Sequence, residues 1–599
     1  MLDLAGLLRV PRVDTGFDIS PDGTRLAFSW NLSGEWQIYE KRLGPPEFIP
    51  EENSPRPTTI GAGGKLNPRY SPDGTCLAYV CDFDGSENFH LFVHNYRTGT
   101  HTDLTPDISF ALQPNFCWSP DGSQLAILSN QQGHFSAYII ASNGGETRLI
   151  FDSGHPAWQV EWSPDGKWLA VCCEMHAQDY GIFIVSLARN KVIQLSEYGK
   201  ALNAHDPHWS PDSKKLAFYS DSRGWFDIGI YELASNQVIW LTSNLGDSKY
   251  PCWSDDSEII GYTQSRGAVN WLAIVGKDKQ AQTFCVDKGF HSAPQFTPDG
   301  KHIICLFSSS SKPPDLWMFD LERGTTRKLT NSLPLEQKDA DFSSPEEIEY
   351  PGMDGASVPA LLFRPSKTPA PAVVMIHGGP NWHYPAEWNP VWTHLASRGW
   401  VVLAPNYHGS TGYGREWQYA ARFDLGGIDT RDCAAGAQYL IREGLAEAHR
   451  IAVTGRSHGG YLTMTCLTRY PELWAGGSAV VPFMNWFKTH ERSREDVQHW
   501  DIENMGDPKD NYGLWYNHSP YFFLDRIQSP VQLICGENDP RCPAADSIDT
   551  RDKLMELGKS VELILYEDEG HAFLKPENIL DSEIRRVEFL AKMFEEKVD

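Results

Sequence analysis

Ser457 lies in the segment GRSHGGYL, after the apolar run IAV and before a helical pattern. This spacing is typical of the G-x-S-x-G turn, in which a serine hydroxyl is exposed at the end of a strand and acts as a nucleophile. Short glycine motifs also occur by chance, so other residues must support this interpretation. Such a serine needs a base, and the base needs an acid that orients it.

A candidate base and a candidate acid each follow their own strand-like run. VELILY leads into EDEGHAF, which contains His571, and VQLICG leads into ENDPRCP, which contains Asp539. In parallel α/β sheets, functional groups collect at the carboxyl ends of the strands. The chain order Ser457, Asp539, His571 is that of α/β-hydrolases, and we predict these three residues to be a catalytic triad. Glu537 and Asp568 are alternative acids whose offsets from the strand ends fit less well.

The run PAVVMIH ends in the glycine-rich segment HGGP, after an early predicted strand. A tetrahedral intermediate needs hydrogen-bond donors for its negative oxygen. We predict that the backbone N–H groups of Gly379 and His458 are these donors. An ordinary tight turn is the alternative interpretation of HGGP.

Residues 480–496 begin with an aromatic stretch and continue with charged residues. Phe483 and Trp486 are predicted to line an apolar substrate pocket, and a helix that packs its apolar face on the core is the alternative. The acidic residues of this segment are predicted to form a solvated face rather than an ammonium site: Glu491, Glu495 and Asp496.

The first half of the chain repeats the tetrapeptide SPDG, or a close variant, at intervals of 43 to 51 residues. Proline fixes φ, aspartate bonds to the neighbouring backbone, and glycine accepts a positive φ, so each copy predicts a turn between two strands. A period in the forties accommodates four short strands and is typical of propeller blades. The seven copies predict a seven-bladed β-propeller, with another all-β repeat as the alternative. They start at Ser20, Ser71, Ser119, Ser163, Ser210, Ser254 and Thr297.

After the turn-rich residues 338–372, strand-like runs alternate with helical segments. This order is typical of an α/β domain with a mostly parallel sheet. We therefore predict residues 1–340 to be the propeller with a short N-terminal extension, and residues 341–599 to be an α/β-hydrolase catalytic domain.

Composition limits the partners and the compartment. The net charge of −26 and the pI of about 5.2 disfavour nucleic acids and anionic membranes. The N-terminal residues do not have the pattern expected of a signal peptide, no long apolar run occurs, and the twelve cysteines form no C-x-x-C pair, so the cytoplasm is predicted. The absence of metal-binding motifs predicts no metal and no cofactor.

These motifs together resemble the prolyl oligopeptidase family of serine peptidases, and most closely its acylaminoacyl-peptidase branch, over nearly the whole chain. The resemblance implies that the propeller admits only short or unstructured peptides to the triad. It also implies that Arg541 holds a substrate backbone carbonyl, that Cys542 lines the primary specificity pocket, and that a homo-oligomer is a plausible assembly. The matching segments are the seven turns, HGGP, NYHGSTGYG, GGIDTRDCAAG, GRSHGG, GENDPRCP and DEGHAF.

The chain departs from this pattern at two positions, with His458 where many relatives have tyrosine and Cys542 where valine is usual. The propeller also lacks the Glu-Glu signature with which dipeptidyl peptidases hold a free amino terminus. We predict a serine peptidase of acylaminoacyl-peptidase or oligopeptidase type that acts on short peptides through an acyl-enzyme. The alternatives are a dipeptidyl aminopeptidase of the same family, a small-molecule serine esterase or amidase, and a non-catalytic binding protein.

Overall fold

The computed structural model describes residues 2–44, 54–106, 109–189, 191–243, 246–338 and 340–595. Two architectures follow each other along the chain: seven four-stranded antiparallel sheets, then one eight-stranded mixed sheet with helices on both faces. The predicted seven-bladed β-propeller and α/β-hydrolase fold are confirmed. No helix in these ranges is long and apolar enough to cross a membrane.

Each blade consists of four consecutive strands, and a short hairpin, β17–β18, separates blades 4 and 5. The strands of blades 1 to 4 and of the hairpin are β1 Val13–Ile19, β2 Arg25–Trp30, β3 Gln37–Arg42, β4 Arg56–Pro57; β5 Gly64–Tyr70, β6 Cys76–Asp82, β7 His90–Asn95, β8 Thr100–Asp103; β9 Leu112–Trp118, β10 Gln124–Ser129, β11 Ser136–Ala141, β12 Arg148–Phe151; β13 Ala157–Trp162, β14 Trp168–Glu174, β15 Tyr180–Ser186, β16 Val192–Gln194; β17 Ser196–Glu197 and β18 Lys200–Ala201. Those of blades 5 to 7 are β19 His205–Trp209, β20 Lys215–Ser220, β21 Asp227–Glu232, β22 Gln237–Trp240; β23 Ser248–Trp253, β24 Ile260–Arg266, β25 Val269–Val275, β26 Ala281–Phe284; β27 Phe290–Phe296, β28 His302–Ser309, β29 Lys312–Asp320 and β30 Thr325–Lys328.

The SPDG turns connect the first and second strands of each blade. In the first copy, the Ser20 hydroxyl donates to Asp22 Oδ1 at 2.6 Å, and the Gly23 N–H donates to Ser20 O at 2.7 Å, with φ of +70° at Gly23. The sixth copy, at residues 254–257, lacks both proline and glycine but makes the same turn, with φ of +62° at Ser257. The hydrogen bond from the first hydroxyl to the aspartate, donated by serine in six copies and by Thr297 in the seventh, is therefore the common element of the turn.

Among the described strands, none is shared between blades 1 and 7, and packing closes the ring. One apolar cluster joins Phe17 and Phe28 of blade 1 to Leu306 and Met318 of blade 7. Each blade thus buries its faces against its two neighbours, as the repeat period predicts.

The loops between the second and third strands of the blades face the second domain. Blades 2 to 7 all form hydrogen bonds with that domain through this loop or beside it, so one rim of the propeller covers the hydrolase domain. The pairs are Asp84 with Asn538, Asn130 with Glu495, Ala177 with Glu503, Asp221 with Arg415, Ala268 with Glu347, and Ser310 with Ser344.

The eight-stranded sheet has the order β31-β32-β34-β33-β35-β36-β37-β38, and its strands are parallel from β34 to β38. The strands are β31 Glu346–Pro351, β32 Ser357–Phe363, β33 Ala372–Ile376, β34 Val401–Pro405, β35 Ile451–Arg456, β36 Gly476–Val480, β37 Val531–Gly536 and β38 Val561–Tyr566. The helices are α1 Leu4–Leu8, α2 Pro390–Ser397, α3 Arg415–Tyr419, α4 Ile428–Arg442, α5 His458–Arg469, α6 Trp486–Arg492, α7 Glu495–Met505, α8 Tyr512–Asn517, α9 Ala544–Glu556 and α10 Pro576–Glu595, with 3₁₀ turns at Leu335–Gln337, Pro471–Leu473 and Pro520–Arg526.

The last propeller strand ends at Lys328 and the first strand of the second domain begins at Glu346, so the predicted boundary near residue 340 lies in the connection between them. The N-terminal extension packs on the second domain, because Leu4 of α1 lies in one apolar cluster with Trp392 and Phe594. The chain therefore starts on the hydrolase domain and enters the propeller at β1.

Trp118 tests the contribution of contacts between blades to stability. Its indole N–H donates to Arg69 O of blade 2 at 3.0 Å, whereas the indole N–H of Trp209 has no hydrogen-bond partner among the described residues. Both rings are buried, so replacement by phenylalanine removes a similar volume. We expect Trp118→Phe to lower the free energy of unfolding, measured by urea denaturation, by about 1 kcal/mol more than Trp209→Phe. Equal losses in the two variants would contradict a role for this hydrogen bond.

Candidate active site

Ser457 occupies a strained turn between β35 and α5. Its φ of +60° and ψ of −124° are rare for a residue with a side chain and are retained where the surrounding packing enforces them. A Cβ atom on Gly455 would lie 2.4 Å from Gly459 O, and one on Gly459 would lie 2.2 Å from Ile376 O. Only glycine fits at these two positions, and their close contact places the serine at the carboxyl edge of the sheet.

The side chains of Ser457, His571 and Asp539 form a continuous hydrogen-bond chain. The distance from Ser457 Oγ to His571 Nε2 is 2.9 Å, and that from His571 Nδ1 to Asp539 Oδ2 is 2.8 Å. When Nδ1 carries the proton and donates to the carboxylate, Nε2 is free to accept the proton of the serine hydroxyl. This geometry is suited to general-base activation of a serine.

Asp539 is held by the turn that follows it. Its Oδ1 accepts the backbone N–H groups of Arg541 and Cys542, both at 2.8 Å, and its side chain is fully buried. The two alternative acids lie elsewhere: Glu537 is exposed, and Asp568 is exposed and paired with Lys575.

The HGGP turn lies directly against the serine, because a Cβ atom on Gly378 would lie 3.3 Å from Ser457 Cβ. The neighbouring Gly379 lines the cavity at the serine and has φ of +121°. His377 anchors the turn: its Nε2 is 2.8 Å from Ser410 Oγ, and burial lowers the pKa of its imidazole to about 3, so the ring is neutral.

His458 begins α5, so its backbone N–H is one of the N-terminal donors that have no partner within the helix. Its side chain is buried, with Nε2 3.1 Å from Oδ2 of Asp429. Asp429 also accepts the Gly426 N–H at 3.0 Å. Asp429 is not among the site residues predicted from the sequence; its position in the segment GGIDTRDCAAG is the available signal.

A cavity of about 210 Å³ lies beside the serine. The four residues predicted to bind substrate, Arg541, Cys542, Phe483 and Trp486, all lie along it. Phe483 also stacks on Tyr461 with ring centroids 4.5 Å apart, so it belongs to the pocket and to the apolar core alike. The cavity is lined by Trp158, Glu174, Tyr180, Gly379, Ser457, His458, Phe483, Trp486, Thr489, Asp496, Val497, Trp500, Asp501, Arg541 and Cys542.

Glu174, at the end of β14 in blade 4, brings a carboxyl group from the propeller into this cavity. Its side chain is 2% exposed, and burial, followed by the nearby carboxylates of Asp496 and Glu503, raises its pKa to about 8. Trp158 Nε1 donates to its Oε2 at 2.9 Å. In the described part of the chain, no lysine, arginine or histidine forms an ion pair with it. Glu174 is not among the site residues predicted from the sequence, because a single glutamate at the end of an apolar strand forms no motif.

The prediction of a solvated acidic face is wrong for Asp496. This residue is buried and accepts two hydrogen bonds from Arg494, at 2.7 and 3.0 Å. Glu495 accepts from Asn130 Nδ2 of blade 3 at 2.6 Å, and Glu491 is exposed. Asp496 is buried where a solvated face was predicted because the propeller packs against α7. The local sequence does not reveal this contact between the domains.

In the described part of the chain, one group of side chains brings potential metal-ligand atoms within 4.8 Å of one another. It consists of Asp539, Cys542 and His571. Asp539 and His571 already use these atoms in a hydrogen bond with each other. Burial raises the pKa of the Cys542 thiol well above its ordinary value, which disfavours the thiolate that a metal requires. We therefore interpret these three residues as part of a hydrogen-bonded arrangement and not as a metal site.

A parallel sheet that presents a serine on a strained turn at its carboxyl edge is the architecture of the α/β-hydrolases, and here a propeller covers that edge. Residues 382–597 match the prolyl oligopeptidase family, and residues 57–201 match the TolB beta propeller domain. The chain thus carries a prolyl oligopeptidase family domain, the domain of a serine-type peptidase.

Known proteins resemble the chain over most of its length. The uncharacterized peptidase YuxL of Bacillus subtilis (strain 168) is 25% identical, over 88% of this chain and 97% of that protein. Dipeptidyl aminopeptidase BIII of Pseudoxanthomonas mexicana is 24% identical, over 94% and 84%. The solved structure of a puromycin-hydrolyzing peptidase of Mycobacterium tuberculosis has a TM-score of 0.86 at 18% identity, over 99% of this chain and 96% of that one, and shows the same fold.

Proposed function

We propose that the protein hydrolyses short peptides through an acyl-enzyme on Ser457. The observation that carries the proposal is the hydrogen-bond chain from Ser457 Oγ through His571 to Asp539. His571 Nε2 takes the hydroxyl proton as Oγ attacks the scissile carbonyl, and then gives that proton to the leaving amine. A water molecule, deprotonated by the same nitrogen, hydrolyses the ester and frees the serine.

The backbone N–H groups of Gly379 and His458 would stabilise the negative oxygen of each tetrahedral intermediate. Their positions support this role, because Gly379 lies in the turn packed on the serine and His458 is the first residue of α5. Donors of this kind act because they are already oriented before charge develops.

The propeller would limit the size of the substrate. A second cavity, of about 640 Å³, lies between the two domains and shares Glu174, Tyr180 and Trp500 with the pocket beside the serine. Its volume is in the range of pockets that hold small ligands. A small ester needs neither this enclosed space nor a clamp for a peptide backbone, which favours the peptidase over the esterase.

We also propose a cytoplasmic location. All twelve cysteines are free thiols, the state that a reducing compartment maintains.

Ser457→Ala tests the nucleophile. We expect loss of peptide turnover and of fluorophosphonate labelling, with an unchanged thermal unfolding midpoint, because the methyl group fits the same turn but cannot form the ester. Peptidase assays and mass spectrometry of the labelled protein measure both effects. Turnover at the wild-type rate in this variant would exclude the serine mechanism, and failure of the wild-type protein to label would favour the binding-protein alternative.

Arg541→Ala tests the proposed backbone clamp. The guanidinium would bond a substrate carbonyl that a small ester lacks, so we expect kcat/KM to fall about tenfold or more for peptides and to change little for nitrophenyl acetate. Steady-state kinetics on both substrates measure this difference. An equal loss on the two substrates would assign Arg541 a structural role instead.

A second candidate function, removal of residues from a free amino terminus, is supported by Glu174. A buried carboxyl group without a cationic partner is suited to pairing with a substrate ammonium group. Dipeptidyl aminopeptidase BIII, one of the relatives above, is named for cleavage at a free amino terminus. The propeller therefore supplies a candidate carboxyl group for a free amino terminus although it lacks the Glu-Glu signature.

Glu174→Gln separates the two candidates. In the wild-type protein, kcat/KM for a free-amino peptide relative to its N-acetylated form should rise from pH 6 to 8, because Glu174, with a pKa of about 8, becomes charged in that range. In the variant we expect this ratio to fall about tenfold and to lose its pH dependence. Glu491→Gln, at an exposed site on α6, is the charge-matched control. A preference for the acetylated peptide that Glu174→Gln leaves unchanged would favour the acylaminoacyl-peptidase function.

A further inference from the structure

We propose that a propeller loop, residues 82–88 between β6 and β7, positions two parts of the active site of the other domain. We call it the blade-2 loop. Glu87 would orient Arg541, and the backbone at Gly85 would hold the loop that carries His571. This inference rests on the proposed function, since it assigns these contacts an effect on peptide hydrolysis.

The blade-2 loop is preorganised by a buried carboxylate. Asp82 Oδ1 accepts the backbone N–H groups of Asp84 and Gly85 at 3.2 and 3.0 Å, and Oδ2 accepts that of Glu87 at 3.1 Å. The Asp82 side chain is 4% exposed. Three hydrogen bonds to one side chain define the path of the loop before it meets the hydrolase domain.

Glu87 reaches across the interface and lies between two guanidinium groups. Its Oε1 is 2.8 Å from Arg541 Nε, and its Oε2 is 3.0 Å from Arg494 Nη2. Arg494 is itself fixed by its two hydrogen bonds to Asp496. The carboxylate of Glu87 therefore has little freedom, and it holds the Nε end of the guanidinium of Arg541, whose side chain is 45% exposed.

The contact with the His571 loop is between backbones. A Cβ atom on Gly85 would lie 2.4 Å from Gly570 N, and one on Gly570 would lie 1.7 Å from Gly85 O. Asn538 Nδ2 donates to Asp84 O at 2.9 Å. Gly570 directly precedes His571 and Asn538 directly precedes Asp539, so the blade-2 loop supports both residues that would activate the serine.

The two contacts predict different kinetic effects. Arg541 would act only on substrates with a peptide backbone, so disturbing Glu87 should affect peptides and leave small esters unchanged. His571 would act on every substrate, so disturbing the contact at Gly85 should slow peptides and esters together.

A double-mutant cycle tests the role of Glu87 in the full-length protein. We expect Glu87→Gln to lower kcat/KM for a peptide about tenfold and to leave nitrophenyl acetate within twofold. Combined with Arg541→Ala, it should cause no further loss, because both changes remove the same interaction. Glu495→Gln, which alters the α7 carboxylate that accepts from Asn130 of blade 3, is the control for general loosening of the interface and should be close to wild type.

Additive losses in the double variant, or an equal loss on the ester, would overturn the role of Glu87. These outcomes differ from a failure of the proposed function, which would appear as unchanged peptide turnover in Arg541→Ala alone or in Ser457→Ala.

Gly85→Ala tests the contact with the His571 loop, and Gly99→Ala is its matched control. Both glycines lie in blade 2 and have φ of +77° and +70°, but no atom lies within 4 Å of a Cβ at Gly99. The alanines therefore carry similar backbone strain, and only the one at Gly85 meets the hydrolase domain. We expect Gly85→Ala to lower kcat on both substrates and the rate of fluorophosphonate labelling about tenfold or more, with Gly99→Ala unchanged. Equal activity in the two variants would overturn this part of the proposal.

If Gly85→Ala does not fold, Asp82→Ala and Asp82→Asn carry the same test. Alanine removes all three hydrogen bonds that shape the blade-2 loop, whereas asparagine retains an acceptor. We expect kcat to fall in Asp82→Ala and to be partly restored in Asp82→Asn, at equal unfolding midpoints. Wild-type kcat in a folded Asp82→Ala variant would exclude a positioning role for the loop.

Discussion

The buried carboxylate of Asp539 is the group on which the candidate active site depends. It accepts hydrogen bonds from His571 and from the backbone of Arg541 and Cys542. The same turn thus orients His571, the proposed base, and fixes Arg541, the proposed clamp, and Cys542, the proposed pocket wall. Because one carboxylate satisfies all three donors, the relative positions of base, clamp and pocket follow from a single local structure after β37.

The propeller contributes to the site rather than only covering it. Its repeated architecture presents the loop between the second and third strands of every blade to the hydrolase domain, and differences among these loops determine what each blade supplies. Blade 2 contacts the residues that precede Asp539 and His571, whereas blade 4 brings Glu174 into the pocket. A regular scaffold can therefore carry specific contacts at a few of its equivalent positions.

Features defined by local chemistry could be predicted from the sequence, and those defined by contacts between domains could not. The SPDG turns are closed by atoms two or three residues away, and the glycines around Ser457 are required by one sharp turn of the chain, so their motifs are visible in the sequence. The contacts of Glu174 and Glu87 with the candidate active site depend on how the propeller packs against the hydrolase domain. Asp496 shows the same limit, because its burial depends on packing between α7 and the propeller.

Charge, rather than size, is the property by which this pocket would distinguish substrates. A pKa of about 8 for Glu174, against an ordinary value of 4.5, corresponds to about 5 kcal/mol by which the empty pocket disfavours the carboxylate. A substrate ammonium group would recover part of this free energy, and an N-acyl group would recover none. Below pH 8 the protonated carboxyl group is compatible with a neutral acylated terminus. If Glu174 holds the substrate terminus as proposed, the choice between the two peptidase types depends on where a single proton resides when the substrate is bound.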